Sequence, residues 1–191
     1  MKKAMLIIVF GLLLTTPSQA DDISDFEIEG ISIGDSSLDF FSESDIKKNK
    51  RDYYDDKTFT AVETDKLSSF ITYDAVDFHY KTGDKEYIIY GLTGVLYFVK
   101  NIKECYPKMD EIIEELSDLF TNANISEKVV TPAPWDKNSK KTDVVFEIDS
   151  GAITVACYDY SKEEEEKYVD HLAIELFTNE LRYWRRDKAY N

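Results

Sequence analysis

The sequence predicts an α+β fold: an antiparallel sheet of about five or six strands with one long amphipathic helix packed on one face, and short helices at the N-terminus. Two observations predict it. From Asn101 to Ala123 apolar residues recur at steps of three and four (Cys105, Met109, Ile112, Leu116, Phe120 and their neighbours), which is the stripe of a helix that buries one face. Segments 76–99 and 143–158 instead alternate with period two around glycine-containing turns, as antiparallel hairpins do, and such hairpins argue against a parallel α/β sheet.

The chain opens with Lys2 and Lys3, then eleven apolar residues from Ala4 to Leu14, then Thr-Thr-Pro-Ser-Gln-Ala. This is the pattern of a secretory signal peptide. Small residues at Ser18 and Ala20 place cleavage after Ala20, and the apolar run is too short for a membrane span of about 20 residues. The expected organisation is a cleaved signal peptide, 1–20, and one globular α+β domain, 21–191, exported to the periplasm or beyond the cell. No cysteine near the cleavage site offers a lipid anchor.

The first segment of the domain, Asp25 to Ile31, reads as a short strand. Gly34-Asp35-Ser36 follows, and Ser36-x-x-Asp39 and Ser42-x-x-Asp45 read as helix starts in which a serine oxygen caps an early amide, Asp35 being an equally good cap for the first. Acidic residues early and the run Lys47-Lys-Asn-Lys-Arg51 late suit the helix dipole. In the first hairpin Thr82-Gly83-Asp84-Lys85 suits a two-residue turn that would set Tyr80 opposite Tyr87, Phe78 opposite Ile89 and Val76 opposite Gly91. The second strand is apolar on both faces, hence central, and Gly91 and Gly94 mark a bulge or a close approach. Pro107 belongs in the first turn of the long helix, where a missing amide costs little.

Residues 130–141, with Pro132 and Pro134, read as a loop. A hairpin about Ser150-Gly151 puts Val144, Phe146 and Ile148 on one face with Ile153, Val155 and Cys157. Leu172, Ile174 and Leu176 supply a last strand, and Thr178-Asn179-Glu180 starts a terminal helix. Cys105 on the helix stripe and Cys157 on the receiving sheet face can bridge the two layers if their Cα atoms lie within about 7 Å, and export to an oxidising compartment favours that disulfide. Two buried free thiols are the alternative.

Composition limits the partners. The formal net charge is −15, and it becomes two units more negative when Lys2 and Lys3 leave with the signal peptide. Such a chain lacks the basic footprint that nucleic acid or an anionic membrane requires, so neither is expected as a partner once the signal is cleaved. No H-x-x-x-H, C-x-x-C, phosphate loop or EF-hand spacing occurs, and no cofactor or metal is expected. The acidic groups Asp52, Asp55, Asp56 and Glu163–Glu166 read as solvated charge in preference to weak calcium sites.

Gly34-Asp35-Ser36 is also the tripeptide in which one class of esterase sets its nucleophile. Such an enzyme needs a histidine base in an Asp-x-x-His block, and the histidines here, His79 and His171, have Val76 and Tyr168 three residues before them. A small secreted serine esterase is therefore the second reading, and no catalytic residue is assigned. The first is a binding or accessory protein that recognises a protein, a peptide or a small ligand. Tyrosines, which join apolar area to a polar tip, crowd the first hairpin, and Tyr80, Tyr87, Tyr90, Gly91 and Gly94 are the expected binding surface.

The string F-E-I-E-G-I-S-I-G-D-S-S-L-D-F-F-S, from Phe26, resembles the opening of a group of small exported bacterial proteins without an assigned activity. The likeness is closest over Phe26–Ile46, and segments 87–105 and 112–120 keep the pattern more loosely. It implies export and a single domain, with helix, hairpin, long helix and C-terminal strands in that order. It brings no substrate or site residue.

Overall fold

The computed structural model describes residues 20–64, 70–99, 101–133 and 136–191. Residues 1–19 of the expected signal peptide, and Pro134, lie outside the described residues. After single 3-10 turns at Ile23–Asp25 and Ser37–Asp39, the elements are α1 (Glu43–Lys48), β1 (Lys50–Arg51), β2 (Phe59–Glu63), β3 (Ala75–Lys81), β4 (Ile89–Tyr97), α2 (Cys105–Leu119), β5 (Asn124–Ile125), β6 (Val129–Pro132), β7 (Lys140–Ile148), β8 (Gly151–Asp159), β9 (His171–Thr178) and α3 (Asn179–Asp187). The strands form one antiparallel sheet in the order β1-β2-β3-β4-β9-β8-β7-β5, with β6 also paired to β7.

The α+β class and the antiparallel sheet agree with the sequence, but among the described residues the sheet has nine strands where about five or six were expected. Most of the surplus is at the margins. β1 and β5 are two residues long, and Val129–Pro132, which overlaps the start of the expected loop 130–141, pairs with Lys140–Asp143 along an outer strand, where proline costs no ladder bond that the sheet needs. The long helix is shorter than its apolar stripe. A 3-10 turn, Ile102–Glu104, leads into α2, Pro107 sits in the first helical turn as expected, and Phe120 leaves helical geometry while its amide still reaches Leu116 O.

The expected strand at Asp25–Ile31 is instead a capped 3-10 turn followed by a minimal reversal. Ile28 and Ile31 exchange both backbone hydrogen bonds across Glu29 and Gly30, which have φ of 55° and 76°. The Glu29 carboxylate then accepts the amides of Ile71, Thr72 and Tyr73 and ties this turn to the approach of β3.

Two hairpin registers differ from the simplest reading, with opposite consequences. The β7–β8 pair is shifted by two residues, which preserves faces, so Val144, Phe146, Ile153, Val155 and Cys157 do share the core side. The β3–β4 pair carries an irregularity at His79/Tyr80, giving Tyr80↔Ile89 but His79↔Gly91 and Phe78↔Leu92. Beyond the bulge Gly91 therefore faces away from the core and Gly94, opposite Val76, faces into it. The connection is long because the Asp84 carboxylate takes the amides of Glu86 and Ile88, while segment 34–37 pairs with segment 87–89.

The main core lies on one side of the sheet, under α2 and the N-terminal segment, and includes Ile28, Ile46, Phe78, Leu92, Met109, Leu116, Phe146, Val155, Ile174 and Leu176. Cys105 and Cys157 meet in a disulfide between α2 and β8 with Cα atoms 6.1 Å apart. Among the described residues the other side is covered at one end only. There α3 starts at Thr178, whose hydroxyl caps the Leu181 amide, and packs Leu181 and Trp184 against Tyr54, Phe59 and Phe177. The uncovered remainder of that face is a cleft.

Candidate binding site

Strand alternation builds the floor of the cleft. In β9 the odd residues His171, Ala173, Glu175 and Phe177 face away from the core, as do Thr93 and Val95 of β4 and Asp77 and His79 of β3. The register aligns them in rows across the strands: Glu63, Asp77, Thr93, Glu175 and Thr154 form one, Ala61, His79, Gly91 and Phe177 the next, and Tyr97, His171 and Tyr158 a third. Small side chains at Ala61, Thr93, Val95 and Ala173 keep the middle low, and tyrosines at the margins raise walls around a cavity of about 540 Å³.

One wall is a ring stack. His171 lies over Tyr158 with centroids 4.7 Å apart and planes 20° apart, Tyr160 and Tyr168 stack at 5.2 Å, and Tyr97 meets His171 edge-on. His171 Nδ1 is fixed by a 2.8 Å hydrogen bond to Val169 O. The opposite wall holds Tyr53 and Tyr54, with Tyr190 edge-on to Tyr54 at 5.4 Å. Arg51 Nε and the Tyr53 hydroxyl both donate to the Glu63 carboxylate.

Burial acts strongly on this face. It pushes His79 down to about 3, with the Arg185 charge adding to it, so the ring is neutral. Its Nε2 is 2.8 Å from the Tyr54 hydroxyl, while Nδ1 is buried and has no hydrogen-bond partner among the described residues. Burial first, then the charge of Glu175, drives Tyr158 well above the ordinary phenol range, so Tyr158 remains a donor, to Glu175 Oε1 at 3.0 Å. Tyr54 is raised to about 12, also chiefly by burial.

The residues expected to bind lie elsewhere, and none of the five lines this cleft. Tyr80 is 1% exposed on the core side, packed against Tyr87 at 4.9 Å. Tyr87, at φ 52°, is itself buried and donates to Glu43 Oε1. Tyr90 lies between Phe59 and the Lys81 ammonium. Gly91 and Gly94 are close approaches, as their glycines implied, but to the protein itself: a Cβ on Gly91 would press on Leu181 and the Phe177 ring, and one on Gly94 on the Tyr73 ring. The bulge that turned Gly91 to the open side also put α3 over it.

The sequence reading passed over the residues that do line the cleft. Their signal was a small or polar residue at every second position of an apolar strand, as in Leu172-Ala-Ile-Glu-Leu176 and Val76-Asp-Phe-His-Tyr80. Ser36 is the cap of the second 3-10 turn, accepting from the Leu38 amide and donating to Glu86 O at 2.6 Å. The hydrogen bonds of His79 and His171 run to Tyr54 and Val169, not to Ser36. Among the described residues no group of three or more histidine, cysteine, aspartate or glutamate side chains could hold a metal ion, and no helix is long and apolar enough to cross a membrane.

No family model, curated protein or solved structure matches the chain.

Proposed function

We propose that the protein binds a small polar ligand in the cleft on the open sheet face, with the tyrosine walls holding the body of the ligand and the charged floor orienting it. The observation that carries this reading is the row Asp77, Thr93, Glu175, set between two aromatic walls on a sheet face that α3 covers only in part. A concave surface with mostly apolar walls and a few convergent polar groups is the usual form of a ligand site, and about 540 Å³ is within the usual range of roughly 300–1,000 Å³. Tyrosine suits the walls because it offers ring area and a polar tip at little entropic cost.

With the N-terminal secretory pattern and the acidic surface, the reading becomes an exported binding protein for a small molecule or for a short segment of a larger one. The test is a thermal-shift screen of sugars, nucleosides, amino acids and aromatic acids against wild type and Thr93→Trp. Tryptophan at the centre of the floor fills the cleft without touching the main core. Ligands that stabilise wild type and not the variant support the reading. Equal stabilisation of both contradicts it.

A further inference from the structure

We infer that Arg185 is the anchor for a carboxylate group on the ligand of this cleft, an assignment that rests on the binding reading above. The chain has four arginines, and three are paired: Arg51 with Glu63, Arg182 with Glu147 and Arg186 with Asp187. Arg185 alone makes no ion pair or hydrogen bond with any described residue; its guanidinium lies 4.7 Å from the Phe177 ring and lines the cleft. The position is built. Its neighbour Trp184 packs on Tyr54 at 4.8 Å and Phe59 at 5.0 Å and donates to Asp56 Oδ1 at 2.7 Å, and Leu181, a turn earlier, is fully buried over Gly91.

A largely desolvated cation with unengaged donors is costly unless something pairs with it. Burial, the largest single influence, would lower the pKa of Arg185, but Glu175 together with Tyr54, Tyr190 and Tyr158 outweighs it, so the guanidinium stays protonated. Glu175 itself accepts from Tyr158 rather than from Arg185. The planar fork is therefore presented to whatever enters the cleft, and it matches the two oxygens of a carboxylate or a phosphate. Electrostatics decides between them. Glu63, Asp77 and Glu175 line the same cleft in a chain of net charge −15, so a dianionic phosphate meets about twice the repulsion that a carboxylate does. A single unengaged guanidinium balances one negative charge.

The test uses the mature chain and three probes, each compared with its neutral amide: benzoate for an aromatic acid, glucuronate for a sugar acid and N-acetylphenylalanine for a peptide C-terminus. Binding is followed by chemical shifts of the cleft residues and of the Arg185 Nε–H. At least one acid is expected to bind in the cleft and move that Nε–H, its amide is expected to bind far more weakly, and Arg185→Gln should weaken the acid about tenfold or more, as for a hydrogen bond to a charged group. The acid that binds best names the source of the carboxylate. Acids and amides that shift the cleft equally overturn the anchor and leave the cleft standing, as does silence from all three acids while other ligands bind there. Shifts confined to another surface overturn both. Should Arg185→Gln fail to fold, the wild-type Nε–H decides: movement with an acid and not with its amide supports the anchor, and no movement overturns it.

Discussion

The Tyr54 hydroxyl and His79 Nε2 lie 2.8 Å apart, a buried hydrogen bond that ties the segment before β2 to the floor of the cleft in β3. The other ring nitrogen, Nδ1, has no partner among the described residues, so protonating His79 would create an uncompensated buried charge.

The pH dependence of stability follows from that. In the unfolded chain histidine takes up a proton below about pH 6.5. In the folded protein His79 stays neutral down to about 3. Between these values protons bind preferentially to the unfolded chain, so stability is lost as pH falls through the window, by up to about 1.4 kcal/mol per pH unit from this site. Because carboxylates titrate there too, the measurement is the difference between wild type and His79→Gln in urea unfolding from pH 7 to pH 4. The wild type should lose stability faster; parallel curves contradict the neutral, buried histidine.

Removing the disulfide should loosen α2 from the sheet. Cys105 and Cys157 close a separation of 52 residues and are both fully buried. Cys105→Ser with Cys157→Ser is expected to cost about 2–5 kcal/mol in chemical denaturation. An unchanged midpoint would show that the helix is held by packing alone.

Gly91→Ala is expected to disturb α3 and not α2. The added methyl would meet Leu181 and, at 2.8 Å, Phe177 Cδ1, so the helix must shift, at about 1–3 kcal/mol for such overpacking. Hydrogen exchange should speed up in Asn179–Asp187 while Cys105–Leu119 stays protected. Equal loosening of both helices would contradict the packing of α3 on Gly91.

Ser36→Ala tests whether Gly34-Asp35-Ser36 is structural. Loss of the cap and of the bond to Glu86 O should cost about 1 kcal/mol, as caps typically do, and a serine-reactive probe should label wild type and variant alike. Labelling that depends on Ser36 would revive the esterase reading.

The core face was legible in the sequence because each layer announces its own period: steps of three and four from Cys105 to Phe120, and alternation through Phe146, Ile153, Ile174 and Leu176. Those two faces allowed the helix-to-sheet disulfide without deciding it against two buried free thiols, and the caps at Ser36, Ser42 and Thr178 were readable because capping is a local interaction. The marginal strands were not, since two-residue pairings such as Lys50–Arg51 carry no periodicity. Nor was the β3–β4 register, which depends on a bulge and on Asp84 holding the Glu86 and Ile88 amides. The cleft was missed for a related reason. Tyr158, Glu175, His79 and Arg185 are far apart in the chain, and only the strand order β3-β4-β9-β8 brings them to one face.

Tyrosines mark both surfaces at issue, so the most direct measurement is the spectrum of protein labelled with ¹³C at the tyrosine rings, recorded with and without a ligand from the screen. If the open sheet face is the binding surface, the signals of Tyr97, Tyr158, Tyr160 and Tyr168 move while those of Tyr80, Tyr87 and Tyr90 stay in place. Movement of Tyr80, Tyr87 and Tyr90 with the cleft tyrosines unchanged would contradict it.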